Sequence, residues 1–208
     1  MLNLDLGASR LRVLAIGSHA DDIEIGCGGT LLRLAGDLEA LELHWVVLSA
    51  DGERADEARA SAEAFGAETE VLGFRDAFFR YGGEVKEFFE ELKGRFDPNL
   101  VLTHHDADRH QDHRLVAELT WNTFRDHLIL EYEIPKYDGD LGSPNVFFHL
   151  SEEIARRKVE LLLDVFPSQR GKRWFTEDLF LGLMRVRGME SNSPSGYAEG
   201  FYARKVSL

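Results

Sequence analysis

The chain has 208 residues, of which 44% are hydrophobic and 29% charged, and its formal net charge is −13. This length and composition are typical of one globular domain with a sizeable core, and we expect a single domain over residues 1–208. The negative charge argues against binding to nucleic acid or to an anionic membrane surface. No apolar run reaches the roughly 18–20 residues that a membrane span requires.

The cysteine content and the first residues bear on the compartment. A single cysteine, Cys27, excludes an intrachain disulfide and suits a reducing cytoplasm. Residues 1–7 lack the basic region and the apolar stretch of a secretory signal peptide. We therefore expect a cytoplasmic protein. The residues do not fix the number of subunits.

The hydrophobic pattern predicts short strands that alternate with amphipathic helices. Strands are expected at 11–17, 43–49, 69–73 and 100–103, and helices at 28–36, 54–65, 85–95 and 112–124. Beyond residue 124 the pattern predicts a strand at 128–134, a loop at 135–144 and a helix at 151–165. Alternation of this kind implies parallel βαβ units. The expected fold is α/β, a Rossmann-like three-layer fold with a mostly parallel sheet.

A first polar cluster follows the first predicted strand directly, with His19, Asp21 and Asp22. Open α/β sheets bind ligands at the carboxyl ends of their strands. Imidazole and carboxylate groups together are ligands that zinc accepts. The glycine-rich stretch at 26–29 lacks the spacing of a dinucleotide-binding fingerprint, and it predicts a tight turn and close packing of the next helix.

A second polar cluster follows the strand at 100–103, and it includes His110 and His113. Residues three apart lie on neighbouring faces of a helical turn. If the two strands are adjacent, His19, Asp22 and His113 meet at one point. Three protein ligands with one open position are typical of a catalytic zinc site. Taken alone, each of these residues is more often a helix cap or a loop residue, so the conjunction of two clusters carries the metal hypothesis.

These motifs resemble those of the PIG-L/LmbE-like zinc-dependent N-deacetylases, which remove N-acetyl groups from sugars. The main motifs are His19-Ala-Asp-Asp22, Gly26-Cys-Gly-Gly-Thr30 and His110-Gln-Asp-His113. Further similar stretches are Arg54-Ala-Asp-Glu57, Leu72-Gly-Phe-Arg-Asp76, Ser168-Gln169 and Tyr197-Ala-Glu-Gly-Phe201. Ser18, Ala20 and Gln111 stand where the family commonly has proline, which leaves every chemical group in place.

The resemblance implies a metal site and a general base. His19, Asp22 and His113 would bind zinc (Zn²⁺), or another divalent transition metal such as iron (Fe²⁺). Asp21 would act as the general base that takes a proton from water. The metal site would lie at the carboxyl ends of the strands.

The resemblance also implies roles for three further residues. His110 would stabilise the tetrahedral intermediate or protonate the leaving amine, and Asp112 would orient His110. Arg54 would contact the substrate, an N-acetylglucosamine-like sugar or glycoconjugate. The resemblance allows a homo-oligomer. Two alternatives stay open: a metal-free Rossmann-like nucleotide-binding module, and a zinc hydrolase that acts on another amide or an ester.

Overall fold

A seven-stranded sheet organises residues 10–206, which are the residues that the computed structural model describes. The strands are Arg10–His19 (β1), Ala40–Ser49 (β2), Glu68–Val71 (β3), Leu100–His104 (β4), Leu128–Tyr132 (β5), Val146–Leu150 (β6) and Tyr197–Tyr202 (β7). Their order in space is β3-β2-β1-β4-β5-β7-β6. The first five of these are parallel, whereas β7 runs antiparallel to β5 and to β6.

Six helices cover the two faces of the sheet. They are Asp22–Asp37 (α1), Gly52–Ala64 (α2), Gly83–Arg95 (α3), Gln111–Thr123 (α4), Glu152–Val165 (α5) and Glu177–Glu190 (α6). Along β1, Val13 and Ala15 pack on the face that α1, α2, α5 and α6 cover, and Leu14 and Ile16 pack on the face of α3 and α4. Alternate residues of a strand point to opposite faces, so the buried middle of β1, residues 13–17, is apolar throughout. The expected three-layer α/β fold is confirmed.

The chain order reverses between β1 and β4. From β1 the chain proceeds outward through β2 to β3, and it then returns to place β4 on the other side of β1. The register pairs Val13 with Leu100 and Ala15 with Leu102. The loops after β1 and β4 therefore leave the sheet side by side, at a topological switch point where open α/β sheets bind ligands.

Helix α1 begins six residues earlier than the sequence predicts, so the tight turn predicted at 26–29 is wrong. Those glycines lie inside the helix, where it crosses other elements closely. A Cβ atom on Gly26 would lie 2.1 Å from Cδ2 of Tyr132, and one on Gly29 would lie 2.5 Å from Cδ1 of Leu150. The predicted close packing is confirmed. Glycine here provides space for neighbours rather than freedom for a turn.

The second half of the chain contains elements that the sequence does not predict. Strands β6 and β7 and helix α6 are absent from the expected set, whereas the loop at 135–144 and the helix α5 agree with it. Ser151 caps α5 by accepting a hydrogen bond from the Ile154 N–H at 3.1 Å. Within residues 10–206, no helix combines the length and the apolar character needed to cross a bilayer. The stretch 1–7 lies outside the described residues, and a single domain over 1–208 stays a prediction.

Candidate metal centre

Three side chains converge at the ends of β1 and β4: His19 is the last residue of β1, Asp22 the first residue of α1, and His113 lies in the first turn of α4. The His19 Nδ1 atom lies 3.4 Å from His113 Nε2, and Asp22 Oδ2 lies 3.4 Å and 3.6 Å from these two nitrogens. A tetrahedral zinc ion with bonds of about 2.0–2.1 Å has ligand atoms about 3.3–3.4 Å apart. The three atoms therefore fit three corners of such a site. Their role as metal ligands stays a prediction.

Carboxylates support both imidazoles from behind. Asp108 Oδ2 lies 3.0 Å from His113 Nδ1, and Asp112 Oδ2 lies 3.3 Å from His19 Nε2. The exposed Asp76 also reaches His19, with Oδ1 at 3.1 Å from Nε2. Metal-binding histidines usually donate their second ring N–H to a carboxylate in this way, which leaves the other nitrogen free for the ion.

The electrostatics of the cluster favour a cation at this point. Burial would raise the pKa of Asp22, but the neighbouring His113 and His104 hold it well below its usual range. Burial would lower the pKa of His19, yet its hydrogen bonds with Asp112 and Asp22 raise it to about 10. The negative potential that holds a proton on His19 would also attract a divalent cation, whose binding releases that proton.

Asp21 lies beside the three converging groups in a strained backbone conformation. Its φ of 89° is left-handed, which is uncommon for a residue with a Cβ and which clusters at functional sites. Burial raises the pKa of Asp21 to about 7, against the opposing charge of Arg54, whose Nη2 lies 3.1 Å from Asp21 Oδ2. The predicted role of Asp21 as general base stays a prediction.

Arg54 is held by other protein groups next to Asp21. Its Nη1 lies 2.9 Å from Glu57 Oε2, and its Nη2 donates to the Ala20 carbonyl. Glu57 in turn accepts hydrogen bonds from Ser168, from the backbone N–H at 2.9 Å and from the hydroxyl at 2.7 Å. Two of the family-like stretches therefore form one network that positions Arg54. Its predicted substrate contact stays a prediction.

The structure corrects the expected partner of Asp112. Asp112 Oδ2 accepts the Ala77 N–H at 2.7 Å and contacts His19, whereas His110 Nδ1 has no hydrogen-bond partner among residues 10–206. His110 precedes α4 with an extended backbone, whereas Asp112 lies in the first turn of the helix, so the two side chains diverge. The ring of His110 lies instead 5.0 Å from the His19 ring and 4.5 Å from the His113 ring.

His104 is a further member of the cluster, which the sequence motifs do not single out. It is fully buried, its Nε2 accepts the Ser18 N–H at 2.9 Å, and its ring stacks on His113 at 3.9 Å. Burial and the nearby His113 lower the pKa of His104 to about 4, so its ring is neutral. His105 points away from the cluster and pairs with Glu131. The position of His104 as the last residue of a buried strand is the signal that distinguishes the two.

Comparisons with known proteins assign the chain to a family. Residues 14–124 match the family described as PIG-L, GlcNAc-PI de-N-acetylase. The chain belongs to the PIG-L family. It is also 33% identical over 168 residues to YaiS of Escherichia coli K12, described as an uncharacterized deacetylase; the match covers 74% of this PIG-L chain and 89% of YaiS.

Solved structures share the fold of this PIG-L chain. An N,N'-diacetylchitobiose deacetylase from Pyrococcus horikoshii has a TM-score of 0.73 at 22% identity, covering 92% of this chain and 83% of that one. GalB from Pseudomonas putida, a 4-carboxy-2-hydroxymuconate hydratase, has a TM-score of 0.78 at 18% identity, covering 95% and 97%. One fold therefore carries a hydrolase and a hydratase, so the reaction has to be argued from the site.

Proposed function

We propose that this PIG-L protein is a zinc-dependent deacetylase that removes the N-acetyl group of an N-acetylglucosamine-like sugar or glycoconjugate. The products would be acetate and the free amino sugar. The observation that carries the proposal is the set of three ligand atoms, on His19, Asp22 and His113, separated by 3.4–3.6 Å. The family membership and the deacetylase description of YaiS support this reaction class.

The ligand set fits zinc, and another divalent transition metal such as Fe²⁺ is a candidate for the same residues. A zinc ion bound by His19, Asp22 and His113 would supply Lewis acidity and lower the pKa of water to roughly 7. Asp21 takes the proton of the attacking water at Oδ1, because Oδ2 faces Arg54 at 3.1 Å. The chain itself thus provides a base held beside the metal ligands.

His110 provides a second polar group beside the metal ligands. Its ring lies next to both imidazole ligands, and its Nδ1 atom is buried without a hydrogen-bond partner among residues 10–206. A hydrogen bond donated by His110 would stabilise the negative oxygen that develops on the acetyl group. The departing nitrogen receives its proton from Asp21 or from His110. A His110 variant that recovers activity on esters with good leaving groups would identify His110 as the proton donor.

Two features of α1 disfavour the nucleotide-binding alternative. Phosphate groups bind at helix N-termini because the backbone N–H groups there are free and partly positive. Here two buried carboxylates, Asp21 and Asp22, occupy that end of α1 and would repel phosphate. The glycines at Gly26 and Gly29 are packed against other side chains and cannot admit a ligand.

Acetate release from the zinc-loaded protein tests the reaction class. We would assay N-acetylhexosamines, their glycosides, simple amides and simple esters, with the metal-free protein as control. We expect acetate from the N-acetyl sugars only when metal is present. Exclusive turnover of esters or of other amides would overturn the assignment to N-acetyl sugars, and a protein that holds no metal would overturn the metal centre.

Two variants separate the general base from the metal ligands. We expect Asp21→Asn to keep its zinc and to lose turnover by roughly 10²–10⁴-fold, the usual contribution of a general base. We expect His113→Ala to lose zinc, as measured by elemental analysis. His127→Ala removes an imidazole that contacts Asp97 instead, so it should keep both properties. Loss of zinc in Asp21→Asn would make Asp21 a ligand, and full zinc in His113→Ala would refute the proposed site.

A further inference from the structure

The loop between β3 and α3 borders the candidate metal centre. Asp76 reaches His19, the Ala77 N–H donates to Asp112, and the Phe79 ring stacks 6.3 Å from the His19 ring. Substrate bound at the metal ligands would therefore lie next to this loop.

The same loop and the start of α3 together form an open cavity of about 230 Å³. We call it the aromatic cavity, and its walls include Phe74, Arg75, Phe78, Phe79, Arg80 and Glu84. Complete small-molecule pockets measure roughly 300–1,000 Å³, so the aromatic cavity has the size of a subsite. Phe79 belongs to both places, because it lines the cavity and stacks near His19.

The aromatic cavity combines an exposed aromatic ring with positively charged side chains. Phe78 is 54% exposed, and the Arg75 guanidinium lies over its ring at 3.7 Å from the centroid. Among the described residues, neither Arg75 nor Arg80 has a carboxylate within ion-pair distance. Glu84 is the one acidic side chain in the lining, so the cavity carries net positive charge on a chain whose overall charge is −13.

We propose that the aromatic cavity binds the aglycone of the substrate, an apolar group that carries a negative charge. The inference rests on the proposed deacetylase function, because it places the sugar at the metal ligands and its substituent on the neighbouring loop. The rings of Phe74, Phe78 and Phe79 offer faces for stacking. The guanidinium groups of Arg75 and Arg80 pair with an anion in a fixed, planar geometry.

A series of three glycosides tests the proposal. The probes are N-acetyl-β-glucosaminides that carry methyl, 4-carboxyphenyl or 4-(aminomethyl)phenyl aglycones, and the readout is acetate release. We expect kcat/KM for the carboxyphenyl glycoside to exceed that for the methyl glycoside by about tenfold, mainly through KM. The positively charged aminomethyl probe should lose most of this advantage.

Matched variants locate the effect. Phe78→Ala should reduce the carboxyphenyl-to-methyl ratio about fivefold, since an aromatic anchor is removed. Tyr81→Ala is the control, because Tyr81 is 52% exposed on the same loop and does not line the cavity. Arg75→Gln should bring the carboxyphenyl and aminomethyl probes closer together, whereas Arg156→Gln on α5 should not.

The outcomes separate this inference from the proposed function. Acetate release at equal kcat/KM from all three probes would overturn the aglycone subsite, but it would still support the proposed deacetylase function. If no probe is hydrolysed, the proposed function fails, and calorimetry with the 4-carboxyphenyl glucosaminide tests the cavity directly. Binding weakened by Phe78→Ala but not by Tyr81→Ala would support it, and binding that both variants leave unchanged would overturn it.

Discussion

At the scale of single residues, Asp108 shows how much of the candidate centre depends on groups behind the ligands. Its carboxylate lies 3.0 Å from His113 Nδ1 and 2.8 Å from Lys136 Nζ, and it accepts the His110 N–H at 2.7 Å. Burial would raise the pKa of Asp108, but His113 and Lys136 hold it far below its usual range. Asp108 is therefore ionised, and it fixes the ring of His113 and the start of α4 together.

We expect Asp108→Asn to weaken zinc affinity by about 10–100-fold, the usual effect of removing a partner of a metal-binding histidine. The measurement is competition with a calibrated chelator. Asp140→Asn is the matched control, because Asp140 contacts Lys136 at 2.6 Å and does not touch His113. An equal loss of affinity in both variants would show that Lys136, rather than the support of His113, carries the effect.

The residues of the site divide into those that the sequence predicts and those that it does not. His19, Asp22 and His113 follow from the rule that parallel strands bring their carboxyl ends together. The contacts of Asp112 and His104 do not follow, because they depend on which way a side chain points within one helical turn or at a strand end. Asp112 turns toward the loop at Ala77, and His104 turns toward the Ser18 N–H, and sequence spacing encodes neither contact.

At the scale of elements, α1 shows why a glycine-rich stretch that predicts a turn instead forms a helix. Two side chains from distant elements enter its backbone hydrogen-bond ladder. Lys158 donates to the Ile25 carbonyl at 2.6 Å, and Glu199 accepts the Gly29 N–H at 2.8 Å and the Thr30 N–H at 2.6 Å. The glycines let α5 and β7 approach this closely, so the helix is defined by its neighbours as much as by its own propensity.

We expect Gly26→Ala to destabilise the fold by about 1–3 kcal/mol or more, since overpacking forces neighbours to move and Tyr132 is a rigid obstacle. Gly36→Ala is the control in the same helix, because no heavy atom lies within 4 Å of the added Cβ. That change should stabilise α1 by up to about 1 kcal/mol through helix propensity. Urea unfolding measures both, and matching effects would refute the packing explanation.

At the scale of the whole molecule, the predictable part of the fold ends where the sheet changes direction. The parallel strands β1, β2, β4 and β5 each contain a continuous apolar run, so the sequence reveals them. Strand β7 carries a buried glutamate, Glu199, which interrupts its apolar pattern, whereas β6 is a short apolar run, Val146-Phe-Phe-His-Leu150, that the sequence could have revealed. Glu199 is balanced by Lys158 at 2.6 Å, and Arg187 on α6 similarly pairs with Glu133 at 2.6 Å.

The Lys158–Glu199 pair joins α5, β7 and α1, so its loss should lower the stability of the whole fold. We expect Lys158→Met to lower the free energy of unfolding by about 3–5 kcal/mol, because it leaves Glu199 buried without a counter-charge. The double variant Lys158→Met/Glu199→Gln should lose less unfolding free energy than the sum of the losses in the two single variants. We expect a coupling energy of about 1 kcal/mol or more. Arg156→Met, which breaks an exposed pair with Glu152, should give no measurable change. Strict additivity of the two buried changes in urea unfolding would show that the ion pair does not hold these three elements together.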